Sequence, residues 1–225
     1  MPLRPSPSLY QDRGSRITTN PESEPVSLME MKRYLRIDDN SDDIVLSDQI
    51  MEARRFIEDQ IGLAFISQSW RMALDRWPAG GEAWWDGVRE MSITELYRSN
   101  VLQSVTLPRW PLVSITSVTT YDEDSNATAI TVANVFDVDV YRTPGRITLK
   151  RGQTWPVALR ANNAIEIVYV AGYANAAAIP MTMKRAVKQL AAFMYNHRGD
   201  DCDASQAFSD SGAASLVDQF KVMKI

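Results

Sequence analysis

Asp38, Asn40 and Asp42 fall at the first three ligand positions of a calcium-binding loop. The rest of such a loop is missing, because Asp43 stands where the sharp turn needs glycine and Gln49 where a bidentate glutamate closes the site. The cluster therefore reads as a solvated, helix-capping turn. A second group of potential ligands, His197 with Asp200, Asp201, Cys202 and Asp203, crowds into one loop without the second cluster that a tetrahedral zinc site draws from elsewhere. Nucleophilic catalysis by serine or cysteine generally needs a base, most often histidine, and His197 is the one histidine of the chain. It sits in the last turn of a predicted helix, where a cationic side chain complements the dipole, and reads as a cap. Gly80-Gly81 has neither the lysine nor the following helix of a phosphate-binding loop. Glycoside hydrolysis needs only two carboxylates, and the chain has 28 acidic residues to draw them from. Trp77, Trp84, Trp85, Trp110 and Trp155 keep a carbohydrate-binding or carbohydrate-active module as an alternative, since aromatic rings stack on sugars. Tryptophans spaced along strands and turns nevertheless serve cores and interfaces more often. No catalytic, cofactor or metal site is assigned, and no enzyme activity is expected.

The elements around these residues are legible from spacing. Ser27 and Glu30 have the separation of a capping box, which starts a short helix over 28–36. Ser41, followed by Asp42 and Asp43, repeats the signal for a helix over 42–61. On it Leu46, Ile50, Ala53, Ile57 and Ile61 line one face, and Gly62 ends it. From residue 65 to 173 the pattern changes to short β-type runs: 65–74, 101–107, 115–121, 135–141, 147–150 and 164–170. Asp122 to Asn126 makes one turn, and Pro144-Gly145 gives the strongest hairpin signal. Leu107 to Leu112, with two prolines, can be an edge or a crossing but no central strand. Pro180 opens a long helix over 180–198, striped by Met183, Val187, Leu190 and Met194. After a polar linker, Ala213, Leu216, Val217, Phe220 and Met223 recur at helical spacing, an apolar face that needs a cover: its own core, a neighbouring copy or another protein. The fold class is α+β: a small helical bundle of two N-terminal helices, one long helix after Pro180 and a short C-terminal helix, with an inserted, mostly antiparallel β region. Residues 1–26 carry five prolines and few apolar side chains and are expected to form a flexible arm.

At 225 residues, 45% of them hydrophobic, the chain can bury one good core, or one core and an annex. A single cysteine excludes an internal disulfide, and no apolar run is long enough to cross a bilayer. The first residues lack the apolar stretch of a signal peptide, so synthesis in a reducing cytoplasm is expected. A formal charge of −4 argues against holding nucleic acid by neutralising phosphates, though not against DNA passing nearby.

Several stretches, in order, carry a resemblance: MKRYLRIDDNSDD, then EARRFIEDQIGLAFISQSWRMALDRWP, Trp84-Trp85-Asp-Gly-Val-Arg-Glu90, and LPRWPLVSITSV from Leu107. Pro144-Gly-Arg-Ile147, Gly152-Gln-Thr-Trp-Pro156, Val170-Ala-Gly-Tyr173 and the helix ending Tyr195-Asn-His-Arg198 continue it. Over residues 27–199 the chain resembles the head-tail connector (adaptor, or head-completion) proteins of tailed bacteriophages and gene transfer agents. The stretch before Ser27 and the run from Ala213 to Ile225 depart from the family pattern.

The resemblance implies a structural virion protein, assembled in the bacterial host cytoplasm and residing in the neck. It implies a homo-oligomeric ring, commonly of twelve copies, seated under the portal protein and offering its other side to a tail-proximal neck or stopper protein. DNA would pass through the lumen without specific binding, and no membrane is involved. On this reading residues 1–26 are an arm, 27–199 the connector domain and 200–225 a portal-docking tail. Within that tail Leu216, Val217, Phe220 and Met223 are the expected portal-binding residues, while Trp84 and Trp85 are expected between ring neighbours. A tail-completion protein further down the neck is a further alternative.

Overall fold

The computed structural model describes residues 13–77, 104–155, 159–198 and 203–221. The chain forms two compact units, one built from residues 20–68, 109–111 and 171–225, the other from the remainder.

The first unit is helical. Helix α1 (Leu28–Leu35) begins at the predicted capping box: the Glu30 N–H donates to Ser27 Oγ at 3.2 Å and the Ser27 N–H to Glu30 Oε2 at 3.0 Å. Helix α2 (Asp43–Ile61) buries the predicted stripe of Leu46, Ile50, Ala53, Ile57 and Ile61, and Gly62, at φ 73°, closes it in the left-handed conformation. Ser41 does not cap α2 as expected. Its N–H and hydroxyl both bind Asp39 Oδ1, at 3.0 and 2.5 Å, so the N-cap residue is Asp42.

A single helical turn of the 3-10 type (Ala176–Ala178) precedes the long helix α4 (Met181–Asn196). The latter follows Pro180 and buries Met183, Val187 and Leu190 together with Ala186 and Ala191. Small side chains at 186 and 191 let α2 and α4 pair closely, and this is the most extensive helix pairing of the unit. The exit from α2 is buried: Leu63, Ala64 and Phe65 are fully covered. Here Arg109–Pro111, the middle of the stretch Leu107 to Leu112 predicted as an edge or a crossing, threads past. Trp110 donates from its backbone to Gly62 O and receives from the Ala64 N–H, while Arg109 reaches Glu58 O at 2.6 Å and Asp59 Oδ1 at 2.5 Å.

The second unit holds two sheets. The larger runs in the order β1 (Arg13–Thr19), β2 (Gln68–Leu74), β8 (Ile165–Ala171), β4 (Leu112–Tyr121), β5 (Ala127–Ile130). The smaller runs β3 (Ser104–Thr106), β7 (Arg146–Leu149), β6 (Phe136–Asp139). Pairs β1–β2, β4–β5, β3–β7 and β6–β7 are antiparallel. Both predicted turns are present. Asp122 closes the β4–β5 turn by accepting from the Asn126 N–H at 2.8 Å, and Pro144-Gly145 lies in the β6–β7 connection, where Phe136 pairs with Leu149 and Asp139 with Arg146. Strand alternation places Ile165, Ile167 and Tyr169 of β8 inside.

Three boundaries differ from expectation. β2 starts at Gln68 and not at residue 65, because Phe65 and Ile66 are used in the helical core. A single helical turn α3 (Val132–Val135) precedes β6, shortening the strand expected over 135–141. Within the stretch expected to be an arm, Arg13–Thr19 form strand β1. β1 is held by its backbone ladder to β2, with Arg13 opposite Leu74 and Ile17 opposite Trp70, while most of its side chains stay exposed. Farther along, Val26 is 1% exposed in the helical core.

Candidate interaction surfaces

The acidic turn is structural wiring. Lys32 Nζ donates to Asn40 Oδ1 at 2.6 Å and pairs with Asp43 Oδ1 at 2.7 Å, fixing α1 to the start of α2. Asp42 takes a hydrogen bond from the Tyr195 hydroxyl and one from Arg198 at 3.1 Å, tying the start of α2 to the end of α4. These donors hold the Asp42 carboxyl below its usual range, Tyr195 contributing most. Glu30 is lowered too, first by the Ser27 N–H and further by Lys184 at 3.2 Å. A carboxylate depressed in the folded state stabilises it above its ordinary pKa, and that contribution is lost as pH falls through the folded value. Urea midpoints are therefore expected to hold from pH 7 to about 5 and to fall steadily below about pH 4.

His197 caps α4 as expected: its backbone N–H and ring Nδ1 both meet Phe193 O, the latter at 2.9 Å, and the ring stacks on Phe193 at 4.0 Å. Among the described residues no group of three or more His, Cys, Asp or Glu side chains could hold a metal ion. The described tryptophans turn inward. Trp77 is 7% exposed and stacks on Trp155 at 4.4 Å, with Phe136 against both, and Trp110 is buried with Nε1 donating to Ile61 O at 3.2 Å.

The C-terminal stretch departs most from expectation. The polar linker contains helix α5 (Ala204–Asp210), capped by Asp203, and the apolar face lies on α6 (Ala213–Val217) and a following single turn (Asp218–Phe220). Both helices fold onto α4, and Phe208 meets Phe56 of α2 at 5.4 Å between ring centres. Val217 is fully buried in the helical core, so it is a packing residue; Leu216 and Phe220 pack against that core and stay partly exposed. The face had three covers open to it in the sequence, and its own core took part of it. Met223, Trp84 and Trp85 lie outside the described residues.

What the sequence did not single out is the exposed apolar surface. On the helical unit Met29, Ile44 and Met181 are 64%, 79% and 72% exposed. On the β unit Tyr141, beside the β6–β7 connection, is 97% exposed. Isolated exposed apolar residues are ordinary, but ones this large at helix starts and hairpin ends suit a protein that works by contact.

The model of the head completion protein family matches residues 25–212. The chain belongs to the head completion protein family. A head completion protein is a structural protein of the junction between head and tail, the function expected from the sequence. No curated protein is similar enough to match this chain. Solved structures share the fold. A chain of the "Neck of empty GTA particle computed with C6 symmetry" is 22% identical with a TM-score of 0.70, covering 94% of this head completion protein and 97% of that chain. One from the "Virion of native gene transfer agent (GTA) particle" is 21% identical with a TM-score of 0.70, covering 94% and 96%. One from the "Neck of native GTA particle computed with C12 symmetry" is 21% identical with a TM-score of 0.64, covering 93% and 97%.

Proposed function

We propose that this head completion protein forms a ring in the virion neck, beneath the portal, and joins the DNA-filled head to the tail-proximal neck proteins without catalysing a reaction. The observation that carries this reading is the family match across residues 25–212, supported by a fold shared over nearly the full chain with proteins of gene-transfer-agent necks, one of them computed with twelve-fold symmetry. Twelve copies per ring is the number this reading takes, supported by that symmetry. Leu216 and Phe220, partly exposed on the last turns, and Met223 beyond them form the portal-facing surface, while buried Val217 holds those turns on the body. Trp84 and Trp85 contact the ring neighbour. A charge of −4 per copy makes a strongly negative ring, a wall along which DNA slides without sticking.

The deciding experiment mixes the protein with its cognate portal and images the mixture by negative stain. A ring stacked on the portal is expected, and a portal that stays bare overturns the reading, including in favour of a tail-completion protein further down the neck. Leu216→Ala with Phe220→Ala is expected to weaken portal binding by about tenfold while leaving a folded protein, because partly exposed apolar anchors carry much of such interfaces. Affinity unchanged in that variant would remove the two residues from the portal face.

A further inference from the structure

Helix α1 and the turn after it bound an open groove of about 570 Å³ on the helical unit. Leu28, Met29 and Ile37 supply its apolar lining, and Arg33 and Arg36, with the single exposed carboxylate of Asp38, its charged lining. Met29 leaves a large apolar side chain 64% exposed there. Lys32, also at the groove, is committed to Asn40 and Asp43. Arg33 and Arg36 are exposed and make no ion pair among the described residues. An apolar lining beside two uncommitted guanidinium forks selects a segment whose apolar side chains are bracketed by carboxylates, since each fork can take a carboxylate in two parallel hydrogen bonds.

The stretches of this chain outside the described residues can be compared with that requirement. Residues 1–12 carry one arginine and one aspartate far apart in sequence; 156–158 carry no charge; 199–202 are acidic without a large apolar side chain; 222–225 are apolar but basic. Residues 78–103 contain Glu82-Ala-Trp-Trp-Asp86, two adjacent tryptophans with a carboxylate on either side. We infer that the α1 groove receives the Glu82–Asp86 stretch of an adjacent copy, with a tryptophan on Met29 and Ile37 and the two carboxylates on Arg33 and Arg36. Methionine suits this role, because its thioether packs favourably against aromatic rings. The inference rests on the ring proposed above, which supplies the adjacent copy.

The test uses the full chain assembled on portal, in a Cys202→Ser background carrying Met29→Cys and Trp85→Cys. Oxidation is expected to give a ladder of covalent multimers on a non-reducing gel. A ring seen by imaging that yields no cross-link, or a disulfide confined to single chains, overturns the docking and leaves the ring reading standing. Failure of the unmodified chain to form a ring overturns both. A second measurement does not depend on the cysteines. Arg33→Glu with Arg36→Glu is expected to weaken ring assembly about tenfold or more, and adding Glu82→Lys with Asp86→Lys to restore it to within about threefold. No loss in the first variant, or no restoration in the second, overturns the docking.

Discussion

Gly172→Ala is expected to destabilise the protein by about 3–5 kcal/mol, enough to leave much of it unfolded at 37 °C. Gly172 has φ 126°, where side-chain-bearing residues are strained. A Cβ there would also stand 2.4 Å from Ile66 O, 2.5 Å from its carbonyl carbon and 2.7 Å from Ser67 N. All three are backbone atoms, so no rotamer change relieves the clash. The approach is close because the two segments are laced together: the Ser67 N–H donates to Tyr173 O at 2.8 Å, the Tyr173 N–H to Phe65 O at 3.3 Å, and the Gly172 N–H to Pro111 O at 2.9 Å. Two comparisons separate the clash from the backbone angle. Gly152→Ala, at φ 82° with nothing within 4 Å of the new carbon, should lose only about 1–2 kcal/mol. Gly14→Ala, with open space and no such angle, should be near neutral. Urea denaturation of the three variants checks the order, and a Gly172→Ala midpoint equal to that of Gly152→Ala would show that the segments separate easily.

The second large effect is expected at Arg54. It lies on α2, 2% exposed, with Nε 2.6 Å from Glu24 Oε2 and Nη1 2.7 Å from Glu58 Oε2. Glu58 is buried as well, and its other oxygen accepts from the Phe65 N–H and the Gln68 amide, both at 2.8 Å. One guanidinium thus joins the segment before α1 to α2, and through Glu58 to the exit of α2. Burial pushes the Glu58 carboxyl up, opposed by Arg54 and by its two further donors. Arg54→Ala removes the compensating charge and strands Glu58, a loss of about 3–5 kcal/mol. Arg54→Met combined with Glu58→Gln should recover at least half of it, since taking out both charges removes the desolvation penalty. The pH response distinguishes this account from simple loss of packing. A carboxyl raised in the folded state stabilises it at low pH and loses that contribution as pH rises through the folded value, so Arg54→Ala should narrow its deficit between pH 7 and pH 5. A deficit constant across that window would assign the loss to packing.

Much of the helical unit was legible because its signals are short-range. The capping box at Ser27 and Glu30, the stripe from Leu46 to Ile61 and the left-handed cap at Gly62 each involve residues within a turn or two of one another, and all three are present. The hairpins were legible for the same reason, from Asp122–Asn126 and Pro144-Gly145. Ser41 misled because it had a nearer partner in Asp39. β1 was illegible because it is an edge strand held by backbone hydrogen bonds, which composition does not record. The sequence does not single out Arg54 and Glu58, since nothing local says that Glu24 and the exit of α2 will close over them.

The interaction surfaces divide along the same line. The sequence determined that Ala213 to Phe220 would carry an apolar face, that the chain lacked the spacing of a metal or nucleophile site, and that its ordered motifs matched a connector family. Only the tertiary structure decided that Val217 is consumed by the protein's own core while Leu216 and Phe220 remain at the surface, and that Met29 is left uncovered beside Arg33 and Arg36. Periodicity fixes which side chains share a face, because helix geometry is local. Which surface covers that face depends on contacts between residues distant in sequence, and burial leaves no mark on the residues that win it.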